Sequence, residues 1–132
     1  FSLPIIIRTP YGGGIRALEH HSDSYETIYL HSCGIKIVVP SSPYNAKGLL
    51  ASAVDEKDPV IFFEPKRIYR AFREDVPDDR YKIEIGKASI AKEGNDITLI
   101  AWGSMMRLAL RAAEKLRINA ETALAEGLPA LE

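Results

Sequence analysis

The densest concentration of chemically active side chains lies in residues 19–26, which hold two histidines, two serines and three acidic residues. Neighbouring Ser, His and Asp resemble a hydrolase triad in type, but adjacent side chains point apart, whereas a triad needs them to converge. An alternative is a polar loop in which Ser24 and Glu26 cap the start of a helix. A third is a metal site, although the spacing matches no standard ligand pattern; its four ligands would be His20, His21, Asp23 and Glu26.

Three further features could bind ions. The glycines at 12–14 would let the backbone approach an anion, although they lack both the P-loop and the G-x-G-x-x-G order, and a flexible turn is the simpler interpretation. Residues 56–59 form a charged turn after a predicted helix, where backbone carbonyls could hold a cation. Arg67, Arg70 and Arg73 form a basic stretch, which solvation or ion pairs would explain. The acidic partners of such pairs would be Asp75, Asp78 and Asp79.

The elements around these candidates have the pattern of a parallel α/β sheet. Residues 4–8, 35–39 and 59–64 are short apolar runs, which are typical of strands buried on both faces. A helix should begin at Pro43, with Ser42 as its cap, because proline suits the first helical position. Its buried face would hold Ala46, Leu49, Leu50 and Ala53. Strand, helix and strand within about 30 residues is the βαβ pattern.

A polar stretch at 65–82 separates this pattern from a second one. Residues 81–85 and 97–102 are predicted strands, and a helix should follow Ser104. The apolar stripe of that helix would be Met105, Leu108, Ala109, Ala112 and Leu116. The sequence therefore predicts a domain boundary near residues 70–80. In residues 119–132 only a weak apolar stripe is visible, and Gly127 and Pro129 interrupt it.

Composition excludes several classes of protein. The chain has 132 residues, 46% of them hydrophobic and 27% charged, with a net charge of −1, which argues against disorder and gives no support for nucleic-acid binding. No apolar run is long enough for a membrane helix, and no signal peptide is expected at Phe1. Cys33 is the single cysteine, so an internal disulfide is impossible. We expect Cys33 and His31 to be packing residues.

Several motifs, in order and spacing, resemble the beta subunit of the thiamine-diphosphate-dependent 2-oxo acid dehydrogenases. They are Arg8-Thr9-Pro10-x-Gly12-Gly13-Gly14, His21-Ser22-x-Ser24-x-Glu26, residues 34–41, residues 45–50, and Asp58 to Lys66 with Tyr69-Arg70. The likeness extends from Phe1 to about Leu116. It implies the second half of a parallel-sheet, transketolase-like pyrimidine-binding domain at 1–70, a linker at 71–82, the start of a transketolase C-terminal-like α/β domain at 83–118, and an atypical tail at 119–132. The glutamate that activates the cofactor would lie upstream of this stretch.

The resemblance also implies site residues. His21 takes the position of the active-site histidine, which faces the thiazolium end of the cofactor and assists proton transfer; His20 takes no role. Imidazole suits this because its pKa lies near working pH. Asp23 stands where an amide is usual and should raise the pKa of His21. A structural potassium ion would be bound by the carbonyls of three residues and by one side chain. Those carbonyls belong to Ile5, Ala53 and Glu56, and the side chain is that of Asp58.

The implied function is oxidative decarboxylation of pyruvate or a branched-chain 2-oxo acid, with acyl transfer to lipoyl. Thiamine diphosphate would be shared with an alpha subunit that carries the magnesium, in an α2β2 heterotetramer that serves a lipoyl-bearing acyltransferase core. The expected compartment is the cytoplasm, or the mitochondrial matrix in a eukaryote. Two alternatives remain: an acetoin dehydrogenase-type thiamine enzyme, or a subunit or fragment that binds partners without catalysis.

Overall fold

The structure is a computed structural model that describes residues 1–17 and 22–125, with residues 118–125 described by their backbone only. Strands and helices alternate over the first half of the chain, and one long helix lies in the second half. The elements are β1 (Ile6–Tyr11), α1 (Glu26–Leu30), β2 (Lys36–Val38), α2 (Pro43–Ala53), β3 (Val60–Pro65), a short 3-10 helix (Lys66–Ile68) and α3 (Met105–Ala125).

The three strands form one parallel sheet in which β3 lies between β1 and β2. Val60 of β3 lies opposite both Ile6 and Lys36, so the three strands start at the same end of the sheet. Parallel strands cannot be joined by tight hairpins, and α1 and α2 lie in the connections. The prediction of a parallel α/β sheet is confirmed.

The central strand β3 is buried on both faces, as its continuous apolar run predicts. Val60 and Phe62 face one side, where they join the cluster that includes Val38 and Ala53. On the other side, Phe63 packs with Tyr11, their ring centroids 5.4 Å apart. The core therefore consists of two small apolar clusters on either side of one strand.

The edge strand β1 differs from the prediction. It begins at Ile6 rather than at residue 4 and continues through Pro10 and Tyr11, which the sequence pattern assigns to a turn. Its prediction as a strand buried on both faces is wrong, because Ile7 is 50% exposed. Proline is tolerated here because an edge strand leaves one row of backbone groups unpaired.

Helix α2 begins as predicted. The Ser42 side chain accepts a hydrogen bond from the backbone N–H of Asn45 (3.2 Å), and Pro43 occupies the first turn. Leu49 and Leu50 pack on the cluster around Ala53 and so cover one face of the sheet.

The strands predicted at 81–85 and 97–102 are not present in the structure. A strand needs a neighbouring strand for its hydrogen bonds, but the first segment crosses α2 instead: the Ile83 N–H donates to the Gly48 carbonyl (3.2 Å) and Ser52 Oγ donates to the Ile83 carbonyl (2.6 Å). The second segment has no ladder partner within the described ranges, and Ile100 is 84% exposed.

Helix α3 begins at Met105 as predicted and continues through Ala125, beyond the predicted apolar stripe. That stripe is not buried, since Met105 and Leu116 are both more than half exposed. The helical backbone includes the first residues of the predicted tail, and 126–132 lie outside the described residues.

Candidate active site

The connection between β1 and α1 folds back on the carboxyl end of β1. The Gly12 N–H donates to the Asp23 carbonyl (2.8 Å), and Ser22 Oγ donates to the Ala17 carbonyl (2.7 Å). In open parallel sheets, ligands bind outside the carboxyl ends of the strands. His20 and His21, with Glu19, lie outside the described residues, but the described residues on either side place the base of their loop at this end of the sheet.

The side chains of Asp23 and Tyr25, which follow Ser22 in the chain, form a hydrogen bond with each other. Tyr25 Oη donates to the Asp23 carboxylate (2.6 Å), and this hydrogen bond raises the pKa of the Tyr25 hydroxyl. Helix α1 starts at Glu26 with Tyr25 at its cap position and has no side-chain cap. The prediction that Ser24 and Glu26 cap this helix is therefore wrong.

Glu26 carries a buried carboxylate, with only 9% of the residue exposed. Its Oε1 accepts a long hydrogen bond from the indole N–H of Trp102 (3.4 Å), and its Oε2 has no partner among the described residues. A buried carboxylate oxygen without a donor is costly, so this atom is a ready acceptor for an N–H or O–H group. Sequence reasoning considered Glu26 as a cap, as a metal ligand and as part of the motif around His21. It did not foresee the contact with Trp102, because no local pattern links residues 76 positions apart.

Tyr11, the last residue of β1, lies beside this carboxylate. Burial and the charge of Glu26 raise the pKa of Tyr11 to about 12, so its hydroxyl stays protonated. Gly103 packs against it: a Cβ at Gly103 would lie 2.7 Å from Tyr11 Oη and 3.0 Å from Val39 Cγ1. Residues 102 and 103 therefore close this end of the sheet.

A second carboxylate at the same end, Glu64, has both oxygens engaged. Arg8 Nε donates to Oε1 (2.5 Å), and Tyr69 Oη donates to Oε2 (2.6 Å). Burial would raise the pKa of Glu64, but these two hydrogen bonds and the Arg8 charge outweigh it and lower the pKa. Burial and the bond to Glu64 raise the pKa of Tyr69 to about 12. Sequence reasoning missed this group, although pairing of Arg8 with Glu64 follows once β1 is known to lie beside β3.

The residues expected to bind potassium gather at the opposite, amino end of the sheet. The Ile5 carbonyl accepts from Val60 N–H (2.9 Å), and the Ala53 carbonyl accepts from Glu56 N–H (3.2 Å). Asp58 lies two residues before β3. The structure thus brings the start of β1 and the turn after α2 to one place.

The side chain of Lys36 lies beside the two carboxylates of this turn. Its ammonium hydrogen-bonds the Glu56 carboxylate and lies 3.9 Å from Asp58 Oδ2, and the bond to Glu56 raises the pKa of Lys36. The carboxylates of Glu56 and Asp58 are balanced by the ammonium groups of Lys36 and Lys57, so the turn has no net charge. A carbonyl oxygen has two lone pairs, so the Ile5 and Ala53 carbonyls retain acceptor capacity. The oxygen donors at this turn therefore fit a hard cation such as potassium.

The basic stretch follows β3 directly. Arg67, Arg70 and Arg73 are exposed, and within the described residues none of them pairs with Asp75, Asp78 or Asp79, so solvation and not ion pairing explains the stretch. Gly14 has a φ of +84°, and a Cβ there would lie 3.3 Å from Arg67 Cδ, so this arginine lies across the glycine turn. Together they form one wall of a groove of about 490 Å³.

The remaining predictions concern His31 and Cys33, metal-binding clusters and membrane-spanning helices. His31 and Cys33 are exposed, so their prediction as packing residues is wrong. In residues 1–17 and 22–125, no three His, Cys, Asp or Glu side chains are grouped so as to hold a metal ion. No helix in the described part of the chain has the length and apolarity to cross a membrane.

Comparison with known proteins agrees with the motifs. The family model of the transketolase pyrimidine-binding domain matches residues 1–71, and that of the transketolase C-terminal domain matches residues 86–123. Among curated relatives, the pyruvate dehydrogenase E1 component subunit beta of Staphylococcus epidermidis is 54% identical over 113 residues, that of Acholeplasma laidlawii 52% over 114, and that of Staphylococcus aureus 50% over 113.

Each of these alignments covers 86% of this chain but 35% of the relative, so the chain spans about a third of the length of the curated relatives it matches. The pyrimidine-binding match alone covers more than half of the chain, from before β1 to beyond β3. The resemblance to 2-oxo acid dehydrogenase beta subunits is confirmed, and the chain belongs to the transketolase pyrimidine-binding domain family.

Proposed function

We propose that this chain, as part of a longer protein, acts as the beta subunit of a thiamine-diphosphate-dependent 2-oxo acid dehydrogenase. The observation that carries the proposal is the 50–54% identity to pyruvate dehydrogenase E1 beta subunits over a stretch that holds the motif around His21. Pyruvate is the favoured substrate because these relatives are named for it. Its acyl group would pass to the lipoyl group of an acyltransferase core.

The proposed partner is an alpha subunit, in an α2β2 heterotetramer that shares the cofactor and carries its magnesium. Exposed apolar side chains support the proposal that further polypeptide covers this part of the chain, since Ile97 is 71% exposed and Ile100 is 84% exposed. Surfaces of this kind are typical of protein contacts. The proposed compartment is the cytoplasm, or the mitochondrial matrix in a eukaryote.

When bound, thiamine diphosphate supplies a carbon nucleophile and an electron sink for decarboxylation. This chain would contribute His21 as the residue that moves a proton during acyl transfer, since a histidine titrates near neutral pH. Asp23 would add negative charge nearby and so favour the protonated imidazole, although its carboxylate also accepts from Tyr25. Glu26 would offer Oε2, which has no partner among the described residues, as an acceptor at the same end of the sheet.

We also propose a structural potassium ion at the amino end of the sheet. Its ligands would be the carbonyls of Ile5, Ala53 and Glu56 and the carboxylate of Asp58. Support comes from the gathering of these oxygen donors where the start of β1 meets the turn after α2. A bound ion would fix the turn between α2 and β3 and thereby the start of the central strand.

The test uses the full-length gene product expressed with its candidate alpha subunit. Decarboxylation is followed with an artificial electron acceptor, with pyruvate and branched-chain 2-oxo acids as substrates, in the presence and absence of thiamine diphosphate. We expect turnover of pyruvate that requires both chains and the cofactor. Preference for a branched-chain acid would correct the substrate. No turnover by an assembled, cofactor-bound complex would contradict the proposed reaction and favour a partner-binding role without catalysis.

A further inference from the structure

Arg67 and Arg70 project from one side of the segment that follows β3. Hydrogen bonds from Tyr69 N–H to the Lys66 carbonyl (3.2 Å) and from Ala71 N–H to the Ile68 carbonyl (3.2 Å) link residues three apart. Such a segment has about three residues per turn, so side chains at i and i+3 align. The two arginines, called the arginine face below, are therefore neighbours with like charge.

The arginine face is exposed, and no counter-charge lies beside it among the described residues. In the described part of the chain, no carboxylate oxygen lies within 4 Å of either guanidinium. The acids nearest in sequence have other partners: Glu64 accepts from Arg8 and Tyr69 with both of its oxygens, and Glu74 accepts from the Tyr44 N–H (2.8 Å). Because the whole chain has a net charge of −1, this local positive charge is not part of a general basic excess.

The position of the arginine face connects it with the candidate active site. Arg67 lies across Gly14, and both arginines line the groove with Gly14 and Ile15. Those two residues belong to the β1–α1 connection, a few positions before residues 18–21. A partner seated on the arginine face would therefore approach the loop that carries His21.

We propose that the arginine face docks an acidic surface of the protein domain that delivers the acyl acceptor. The inference rests on the proposed function, in which a lipoyl-bearing domain must reach the site to be acylated. Two aligned guanidinium groups at the base of the loop, with no carboxylate partner among the described residues, attract carboxylates and favour encounter in one orientation. Arginine suits this because its planar fork can bind carboxylates with two hydrogen bonds.

The test measures the dissociation constant between the full-length protein, assembled with its alpha subunit, and the isolated lipoyl-bearing domain of the same complex, by fluorescence anisotropy. Replacing both arginines (Arg67→Gln with Arg70→Gln) should weaken binding about three- to tenfold and flatten its salt dependence. The double Lys variant, which keeps both charges, should lie between this variant and the wild type. Arg111→Gln, an exposed arginine on α3, is the matched control and should change nothing.

Dye-linked decarboxylation is measured in parallel, and the double Gln variant should retain it. Unchanged binding by this variant, or a loss equal to that of Arg111→Gln, would overturn the docking proposal. Loss of dye-linked turnover would also overturn it, because the arginines would then serve the decarboxylation itself. If the wild type binds the domain through these arginines but shows no dye-linked turnover, the docking stands and the proposed reaction fails.

Discussion

Gly103 provides a quantitative test of how residues 102 and 103 close the carboxyl end of the sheet. Its φ is +55°, a region that costs an L side chain about 1–2 kcal/mol. A Cβ there would also lie 2.7 Å from Tyr11 Oη, and such overpacking typically costs about 1–3 kcal/mol. Gly103→Ala should therefore destabilise the protein by about 2–5 kcal/mol.

Three other glycines separate these two causes. Gly94 has neither a positive φ nor an atom within 4 Å of its Cβ position, and Gly86 has a φ of +93° but open space. Gly94→Ala should be neutral or slightly stabilising, whereas Gly86→Ala should cost about 1–2 kcal/mol. Gly48, inside α2, has contacts only: its Cβ would lie 2.7 Å from Ile83 Cγ1. In Gly48→Ala the higher helix propensity of alanine should stabilise the protein by about 1 kcal/mol, whereas overpacking should destabilise it by about 1–3 kcal/mol.

The assay is hydrogen–deuterium exchange of the full-length protein in a urea series, read on peptides from β1 and α2. Exchange in β1 should rise most in Gly103→Ala. Ile83→Ala should lessen the effect of Gly48→Ala in α2 without abolishing it, because Tyr81 Cε2 also lies 2.7 Å from the Cβ position. If Gly103→Ala were no more destabilising than Gly86→Ala, Gly103 would not pack against Tyr11 and Val39, and the reasoning would be refuted.

Further predictions concern the core, the linker and the cation site. Phe63→Ala should cost about 3–5 kcal/mol in urea unfolding because Phe63 is 2% exposed, whereas exposed Ile28→Ala should cost little. The hydrogen bond from Lys82 lowers the pKa of Asp55. This ion pair therefore stabilises the folded protein above the ordinary aspartate pKa, and its contribution is lost as pH falls through the lowered pKa of Asp55. Hydrogen exchange of residues 80–82 should rise at that lower pH and not at the ordinary aspartate pKa. Potassium, against lithium at equal ionic strength, should raise the Tm of the wild type but not of Asp58→Ala, and equal shifts in both would contradict the site.

The sequence predicts the first half of the fold because its signals are local. Ser42 and Pro43 determine where α2 begins, and the apolar run of β3 indicates burial on both faces. The same reasoning fails for β1, since period and propensity do not show which strand lies at the edge of a sheet.

The second half is predicted less well because strands depend on partners. The segment around Ile83 has an alternating pattern, yet its backbone bonds to α2 rather than to another strand. Apolar residues around Ile100 suit a strand but find no ladder among the described residues. Only α3, whose hydrogen bonds are internal, begins where the pattern predicts.

In the candidate active site, too, local features could be predicted from the sequence and contacts between distant residues could not. The motif around His21 identifies a loop from sequence alone, and the structure places the base of that loop at the carboxyl end of β1. The contact between Glu26 and Trp102 spans 76 residues, so no local pattern could predict it. The role of His21 and the potassium ligands remain predictions.

The most direct measurement of the central claim compares His21→Ala with His20→Ala in the full-length protein assembled with its alpha subunit. Acyl transfer to the lipoyl-bearing domain is measured beside dye-linked decarboxylation and the mass of the complex. We predict that His21→Ala loses acyl transfer in an intact complex, while His20→Ala retains it. Equal activities of the two variants and the wild type would contradict the assignment of His21 and favour a subunit that holds its partners without catalysis.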